Sequence, residues 1–440
     1  MIEENRKKRI ATYTLGCKVN QYDTEAVVEL FKSEDYEEVA FDEEADVYIV
    51  NTCTVTHLSD RKCRQMLRKT KKLNPDSVLV AMGCYAQAAG EQIKIDVPEV
   101  DLIVGTNKRN EMINLIEQYK MDQQHYNYVG DIMDVEEFEE LRISNMGEHT
   151  RAYLKIQEGC NNYCTYCIIP YVRGKIRSRK IENVMEEAKR LIEAGFKEII
   201  LTGIHVASYG KDLGNTSLIE AIRAIHDLEG LERIRLSSIE PVVVTPEFLE
   251  AIKGLPKLCH HFHLSLQSGC DTVLKRMNRK YTTQEYRESV EALREIWPDV
   301  AITTDIIVGF PGETEEEFNE TLQFAKEIGF AQVHLFPYSI REGTVAAKMK
   351  DQVDSQVKDE RLKRLKEVTL ASQEHFISQF IGTDMEVLFE KDESGKSHGY
   401  TSNYIKVEIP SKVNLVNTIR TVHIESKQEE VLEGKYEGVE

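Results

Sequence analysis

Residues 151–167 read RAYLKIQEGCNNYCTYC, a short apolar strand pattern running straight into three cysteines spaced CxxxCxxC. That strand, 152–157, is the first of six; 198–201, 233–236, 261–266, 300–308 and 332–336 carry similar signatures, with helical patterns between them. Six βα units make most of a (β/α) barrel without reaching the eight of a closed one. Cys160, Cys164 and Cys167 therefore fall just past the C-terminal end of the first barrel strand, the end at which such folds assemble their sites.

Three thiolates on one short loop can hold three irons of a [4Fe-4S] cube and leave the fourth iron open to something other than protein. A zinc site or plain structural cysteines remain the alternatives. Zinc asks for a fourth Cys or His, and no completing CxxC or HxxxH pair is local to 160–167.

Upstream, residues 1–120 alternate apolar strands at 10–16, 46–51, 77–83 and 101–105 with helical stretches at 23–31, 58–72 and 86–94, the pattern of an open parallel α/β sheet. Cys17, Cys53 and Cys84 each fall one or two residues past a strand. The strand C-termini of such a sheet lie along one edge, so three cysteines far apart in sequence can converge there; three buried apolar thiols are the plainer alternative. An acidic stretch with little periodicity, 121–149, reads as a linker or cover segment. The barrel units occupy 150–380 and close with a long amphipathic helix at 354–380. From 381 to 440 short alternating strands (MEVLFE, GYTSNYIKVEIP, IRTVHIE) indicate a small all-β module. The expected fold class is thus α/β with three domains, an open parallel sheet, a partial (β/α)6 barrel and a β module.

No run approaches the roughly 20 apolar residues of a membrane span, and the first ten residues, MIEENRKKRI, lack a signal-peptide core. The chain is expected in the cytoplasm, with no membrane partner. Closely spaced cysteines in a reducing compartment bind metal more often than they pair, which directs the nine cysteines away from disulfides. A net charge of −19 argues against an anionic partner, yet basic runs at 61–72, 173–180 and 361–366 stand out from it.

CxxxCxxC with Tyr166 before its third cysteine resembles the signature of the radical S-adenosylmethionine (SAM) superfamily. The resemblance implies that the open iron chelates SAM and that an electron delivered through the cluster cleaves it to a 5′-deoxyadenosyl radical. By the same resemblance the later strand ends contact the cofactor: Thr202 and Gly203, Ser238 and Glu240, Ser265 and Gln267, then Asp305 and Gly309. The second-strand motif here is LTGIH where much of the superfamily has GGE.

TLGCKVNQYDTE, NTCTVT and MGCYAQ around Cys17, Cys53 and Cys84, with CNNYCTYCIIPYVRG, HLSLQSGCDTVLKRMNRKYT and DIIVGFPGETEEEF in the barrel, are similar over nearly the whole chain to the methylthiotransferases. That resemblance implies a second, auxiliary [4Fe-4S] cluster on Cys17, Cys53 and Cys84, at which sulfur is held or delivered, and a C-terminal TRAM-like RNA-binding module, to which Tyr400, Tyr404 and Lys406 could contribute. The all-β module would then bind tRNA. Two further partners are implied, an electron donor and a sulfur source. Lys18-Val19-Asn20 after the first cysteine looks like the branch that acts on tRNA carrying threonylcarbamoyladenosine; the other branches act on isopentenyladenosine in tRNA or on a ribosomal-protein aspartate. Arg173, Arg177 and Arg341 are candidates to meet the carboxylate of that nucleoside, or else to contact phosphate or form ion pairs. Cys63, Cys259 and Cys270 fit neither cysteine set and read as structural, with Cys63 and Arg64 nearest the auxiliary site. His205, His260, His261 and His263 read as hydrogen-bonded rim or core residues. Both clusters must face one cavity, so the C-terminal edge of the first sheet is expected to dock over the open top of the barrel.

Overall fold

A computed structural model describes residues 6–143 and 150–436, so the end of the acidic stretch, 144–149, lies outside the described residues. Six parallel strands form the first sheet: β1 (Arg9–Thr14), β2 (Glu37–Val39), β3 (Val47–Thr52), β4 (Val78–Gly83), β5 (Leu102–Val104) and β6 (Tyr126–Asn127), in the order β2-β1-β3-β4-β5-β6. Every residue of β3 and β4 is buried, as a parallel sheet covered on both faces requires. Helices α1 (Lys18–Ser33) and α4 (Met112–Asp122) cover one face through Val27, Phe31, Leu115 and Ile116; α2 (His57–Leu73) and α3 (Cys84–Asp96) cover the other through Cys63, Leu67, Ala86 and Ile93. The edge strands β2 and β6 are too short to leave a periodic signal, and the sheet runs on to Asn127.

The barrel strands are β7 (Arg151–Glu158), β9 (Glu198–Gly203), β10 (Arg233–Leu236), β11 (His261–His263), β12 (Ala301–Val308) and β13 (Gln332–Pro337), with the short β8 (Arg177–Ser178) antiparallel to β7 on the outer edge. The six parallel strands follow in sequence order, and isolated bridges Ile234–Leu258 and Ile239–Leu264 carry the sheet from β10 to β11. The barrel stays open between β7/β8 and β13. The fourth strand stops at His263, short of the expected 266, because the chain turns at Gln267, whose φ of 72° leaves only a single bridge to Ile306.

The α1 helix belongs to both halves. Val27 and Phe31 sit in the core of the sheet, while Tyr22 and Ala26 are part of the barrel core. At the other end, β14 (Asp384–Glu393), β15 (Lys396–Thr401), β16 (Lys406–Pro410), β17 (Ile419–Gln428) and β18 (Val431–Lys435) close a small barrel in the order β14-β15-β16-β18-β17. GYTSNYIKVEIP thus holds parts of two strands around a turn with Tyr404 at φ 67°, and β18 went unread in the sequence. Arg233 and Arg235 on β10 fasten this module to the large barrel by donating to the carbonyls of Tyr400 (3.0 Å), Glu386 (2.8 Å) and Ser402 (2.9 Å).

The helix Glu315–Ile328 starts from a capping box, Thr314 and Glu317. Glu317 also accepts a bidentate pair from Arg276 (2.7 and 2.6 Å) and a bond from Thr272 (2.7 Å). Led by the Arg276 contact, these hold its carboxyl down to about 2, against an ordinary value of about 4.3. A depressed carboxylate stabilises the fold fully above its unfolded value and loses that contribution as pH falls through the folded one. Glu317→Gln is therefore expected to lower Tm at pH 6, with the gap to wild type shrinking between about pH 4.3 and pH 2; an offset that stays constant in melts across that window would contradict this.

Candidate active site

The loop after β7 begins at Gly159, whose φ of 73° and close passage by Lys175 exclude a side chain: a Cβ there would lie 1.8 Å from the Lys175 carbonyl oxygen. Cys160, Cys164 and Cys167 follow, and all three line a cavity of about 710 Å³ at the C-terminal mouth of the barrel. The loop is held from below. Asn162 donates to both oxygens of Glu240 (3.0 and 3.1 Å), which also meets His205 Nε2 (3.1 Å) and Arg279 (2.8 Å). Burial alone would raise the Glu240 carboxyl, but His205 and Arg279 outweigh it and bring it to about 2. Arg279 also donates to Cys164 Sγ (3.3 Å). Burial pushes the Cys160 thiol up to about 11 and that of Cys167 up to about 12; a bound cation reverses this preference and takes the thiolates. Three thiols of one loop facing open space, with no fourth Cys on that loop and with His205 engaged by Ser208 and Glu240, suit an iron-sulfur cube with one open iron.

Across the same cavity lie Gly16, Cys17, Lys18, Val19 and Val55, from the C-terminal edge of the first sheet. Cys17 is the N-cap of α1, Cys84 is the first residue of α3, and Cys53 follows β3. Two of the three thus sit at helix N-termini, which favour negative charge. Asn20 ties the three segments together: its amide donates to the carbonyls of Leu15 (2.7 Å) and Thr52 (3.1 Å), and its Oδ1 lies 4.0 Å from Cys84 Sγ. A Cβ on Gly16, at φ 108°, would approach Cys53 Sγ to 3.0 Å. Cys63 is fully buried and exchanges bonds with the Cys53 backbone, accepting from its N–H and donating to its carbonyl, both at 3.4 Å.

Beneath Cys84 is a buried charge network that no sequence motif announces. Arg173 donates to Cys84 Sγ (3.2 Å), Asp23 (2.9 Å), Glu158 (3.0 Å) and Asn20 (2.5 Å); Lys155 pairs with Asp23 (2.7 Å) and Glu158 (2.5 Å); and Arg109 pairs with Asp23 and Glu139 (2.7 Å). Burial would raise the Asp23 carboxyl, yet Arg109, Lys155 and Arg173 hold it below its usual range.

Of the residues singled out in the sequence for SAM, Tyr166, Thr202, Gly203, Ser238, Glu240, Ser265 and Asp305 line the cavity, while Gln267 and Gly309 are not among its lining. Gln267 instead serves the sheet, its backbone exchanging bonds with Asp305 and Ile307, both at 2.9 Å. The three arginines suggested for a carboxylate are spoken for. Arg173 sits in the charge network, Arg177 donates to the carbonyls of Arg173 and Lys175, and Arg341 binds Thr54 and Asp60. Tyr400 and Tyr404 stack on each other and on Arg151, turned inward toward the large barrel.

An open (β/α)6 barrel with CxxxCxxC after its first strand defines a radical SAM enzyme. Residues 154–325 match the Radical SAM superfamily and residues 9–105 match a family described as Uncharacterized protein family UPF0004. The chain is similar to the threonylcarbamoyladenosine tRNA methylthiotransferase MtaB of Bacillus subtilis (45% identical, covering 94% of this chain and 93% of that protein) and to that of Aquifex aeolicus (40%, 91% and 96%). A tRNA-2-methylthio-N(6)-dimethylallyladenosine synthase of Clostridium botulinum is 40% identical over 88% of each chain. In fold it resembles the radical SAM methyltransferase TsrM of Kitasatospora setae, with TM-score 0.58 and 13% identity, covering 78% of this chain and 77% of that one. The chain belongs to the radical SAM tRNA methylthiotransferase family. No helix among the described residues is long and apolar enough to cross a membrane.

Proposed function

We propose that this enzyme converts threonylcarbamoyladenosine at position 37 of tRNA, just 3′ of the anticodon, to its 2-methylthio derivative, with a SAM-binding [4Fe-4S] cluster on Cys160, Cys164 and Cys167 and a second on Cys17, Cys53 and Cys84. The observation that carries this reading is the single cavity bordered by all three barrel cysteines and, on its far side, by Cys17. When bound, the clusters and SAM supply the radical and the methylated sulfur. The residues of the chain hold and shield them. Asn162, Glu240 and Arg279 fix the barrel loop, Asn20 gathers the three N-terminal segments, and the sheet edge roofs the barrel so that water is kept from the reacting groups. Tyr166, Gly203, Ser238, Glu240 and Asp305 would contact SAM, a reading supported by their lining the cavity; Gln267 supports that wall through its backbone. The relatives named for threonylcarbamoyladenosine favour that substrate, and the dimethylallyladenosine relatives supply the second reading. Anaerobically reconstituted enzyme, given reductant, SAM and each tRNA separately, is expected to add a methylthio mass to the threonylcarbamoylated nucleoside in nuclease digests. Addition only to the dimethylallylated nucleoside would overturn the substrate assignment.

A further inference from the structure

The cavity has a second end. Cys160 lies two residues past the end of β7, whereas His261 and Gln332, which also line the cavity, are the first residues of β11 and β13. In a parallel barrel these are opposite ends, so the cavity runs from the cysteines down toward the N-terminal ends of the strands. There it meets Lys18, His261 and Tyr404, and beyond them a groove between the barrel, the helix Ser355–Ser378 and the small β module, with His261, Thr303, Gln332 and Tyr404 shared by both spaces.

This end is cationic and its donors are not used up. Lys18 forms no hydrogen bond or ion pair among the described residues; burial, then Arg235 and Arg151, disfavour its charge, and Glu198 alone supports it. Arg235 is paired with Glu198 (2.6 Å) and Arg151 with Glu390 (3.1 Å). Asp305, which lines the cavity, sits beside His263 (3.3 Å), so none of the three acids pairs with Lys18. Two buried polar atoms lack partners: Arg151 Nη1, a donor, and Nδ1 of His261, a residue only 7% exposed whose Nε2 is engaged by Thr303 (3.2 Å). Unpaired buried polar atoms are costly, and a pocket that leaves an arginine donor unmet beside an unpaired lysine suits an anion.

We propose that this pocket binds the carboxylate of the threonylcarbamoyl group, with Lys18 as the specificity-determining cation; the assignment rests on the substrate reading above. In a purine, C2 and C6 flank N1 and their outward bonds diverge by about 120°, so when C2 faces the cysteines a substituent on N6 is directed away from them, along the cavity. An RNA phosphate is also an anion. For a phosphate to reach this end the polymer backbone would have to enter the cavity, whereas the side group of one extruded base reaches it alone. The arginines that sequence reasoning offered for this carboxylate are all internally bonded, and Lys18 is free.

The test uses the reconstituted full-length enzyme and three anticodon stem-loop RNAs, bearing threonylcarbamoyladenosine, its threoninamide analogue, or plain adenosine at the target position, with a dimethylallyladenosine loop as a separate control. Binding is read by fluorescence anisotropy and turnover by nucleoside mass. Wild type is expected to prefer the carboxylate over the amide by about tenfold or more in Kd and KM, the contribution of a charge-assisted hydrogen bond. Lys18→Met is expected to bring that ratio near one, and Lys18→Arg to keep most of it. Equal binding of carboxylate and amide by wild type, or an undiminished ratio in Lys18→Met, would overturn the proposal. A Lys18→Met variant that weakens all three RNAs alike would reveal a phosphate site and overturn it too. Failure of the substrate reading shows separately, as wild type that leaves the carboxylate RNA unmodified while modifying a dimethylallyladenosine loop.

Discussion

Replacing Cys160, Cys164 and Cys167 together by Ala is expected to abolish release of 5′-deoxyadenosine from SAM, whereas replacing Cys17, Cys53 and Cys84 together is expected to leave that cleavage and remove only the methylthio product. Cys17 of the N-terminal set reaches the cavity that the barrel set lines, but the two sets hang on different supports. The barrel loop is anchored by Glu240 and Arg279, and the N-terminal segments by Asn20 and Arg173. Loss of one set therefore leaves the scaffold of the other standing, and each triple variant should carry about half the iron of wild type. Deoxyadenosine from the barrel variant would dismiss the radical site as drawn. Methylthiolated nucleoside from the N-terminal variant would dismiss the sulfur-carrying role of the second set.

The largest effect on stability is expected from Asp23→Ala. Asp23 is about 1% exposed, pairs with Arg109, Lys155 and Arg173, and sits where α1 meets the barrel. Removing it leaves three buried cations with Glu158 as their one fully buried carboxylate. Breaking a buried pair from one side costs about 3–5 kcal/mol, well above the usual effect of a point substitution. Denaturant unfolding of Asp23→Ala and of the near-isosteric Asp23→Asn should both show it, because the loss is of charge and not of volume. A cost under about 1 kcal/mol in both would mean that water enters and screens the network.

The place of the two cysteine sets at strand ends could be read in the sequence because strand and cysteine are adjacent along the chain, so one local pattern gives both the element and the residue that follows it. The same locality made the six barrel strands readable. The charge network was not readable, since Asp23 and Arg173 are 150 residues apart and each alone looks like a surface charge. For Arg173, Arg177 and Arg341 the sequence left a carboxylate contact and an ion pair both open, because composition shows a cation but not what has already claimed it; Arg173 and Arg341 prove to be ion-paired. Lys18 stood in plain view within GCKVNQ, yet only the fold shows that its neighbours spend their carboxylates on other partners. The edge strands β2 and β6 are too brief for any period to register.

With Tyr22 and Ala26 in one core and Val27 and Phe31 in another, α1 acts as a shared axle. Parting the roof from the barrel would strip both cores at once, so a clamshell motion would amount to partial unfolding and not to a hinge. Traffic must then pass through the side. The gap between β7/β8 and β13 is where a base would enter and leave while the roof stays shut, without the two cysteine sets changing their separation.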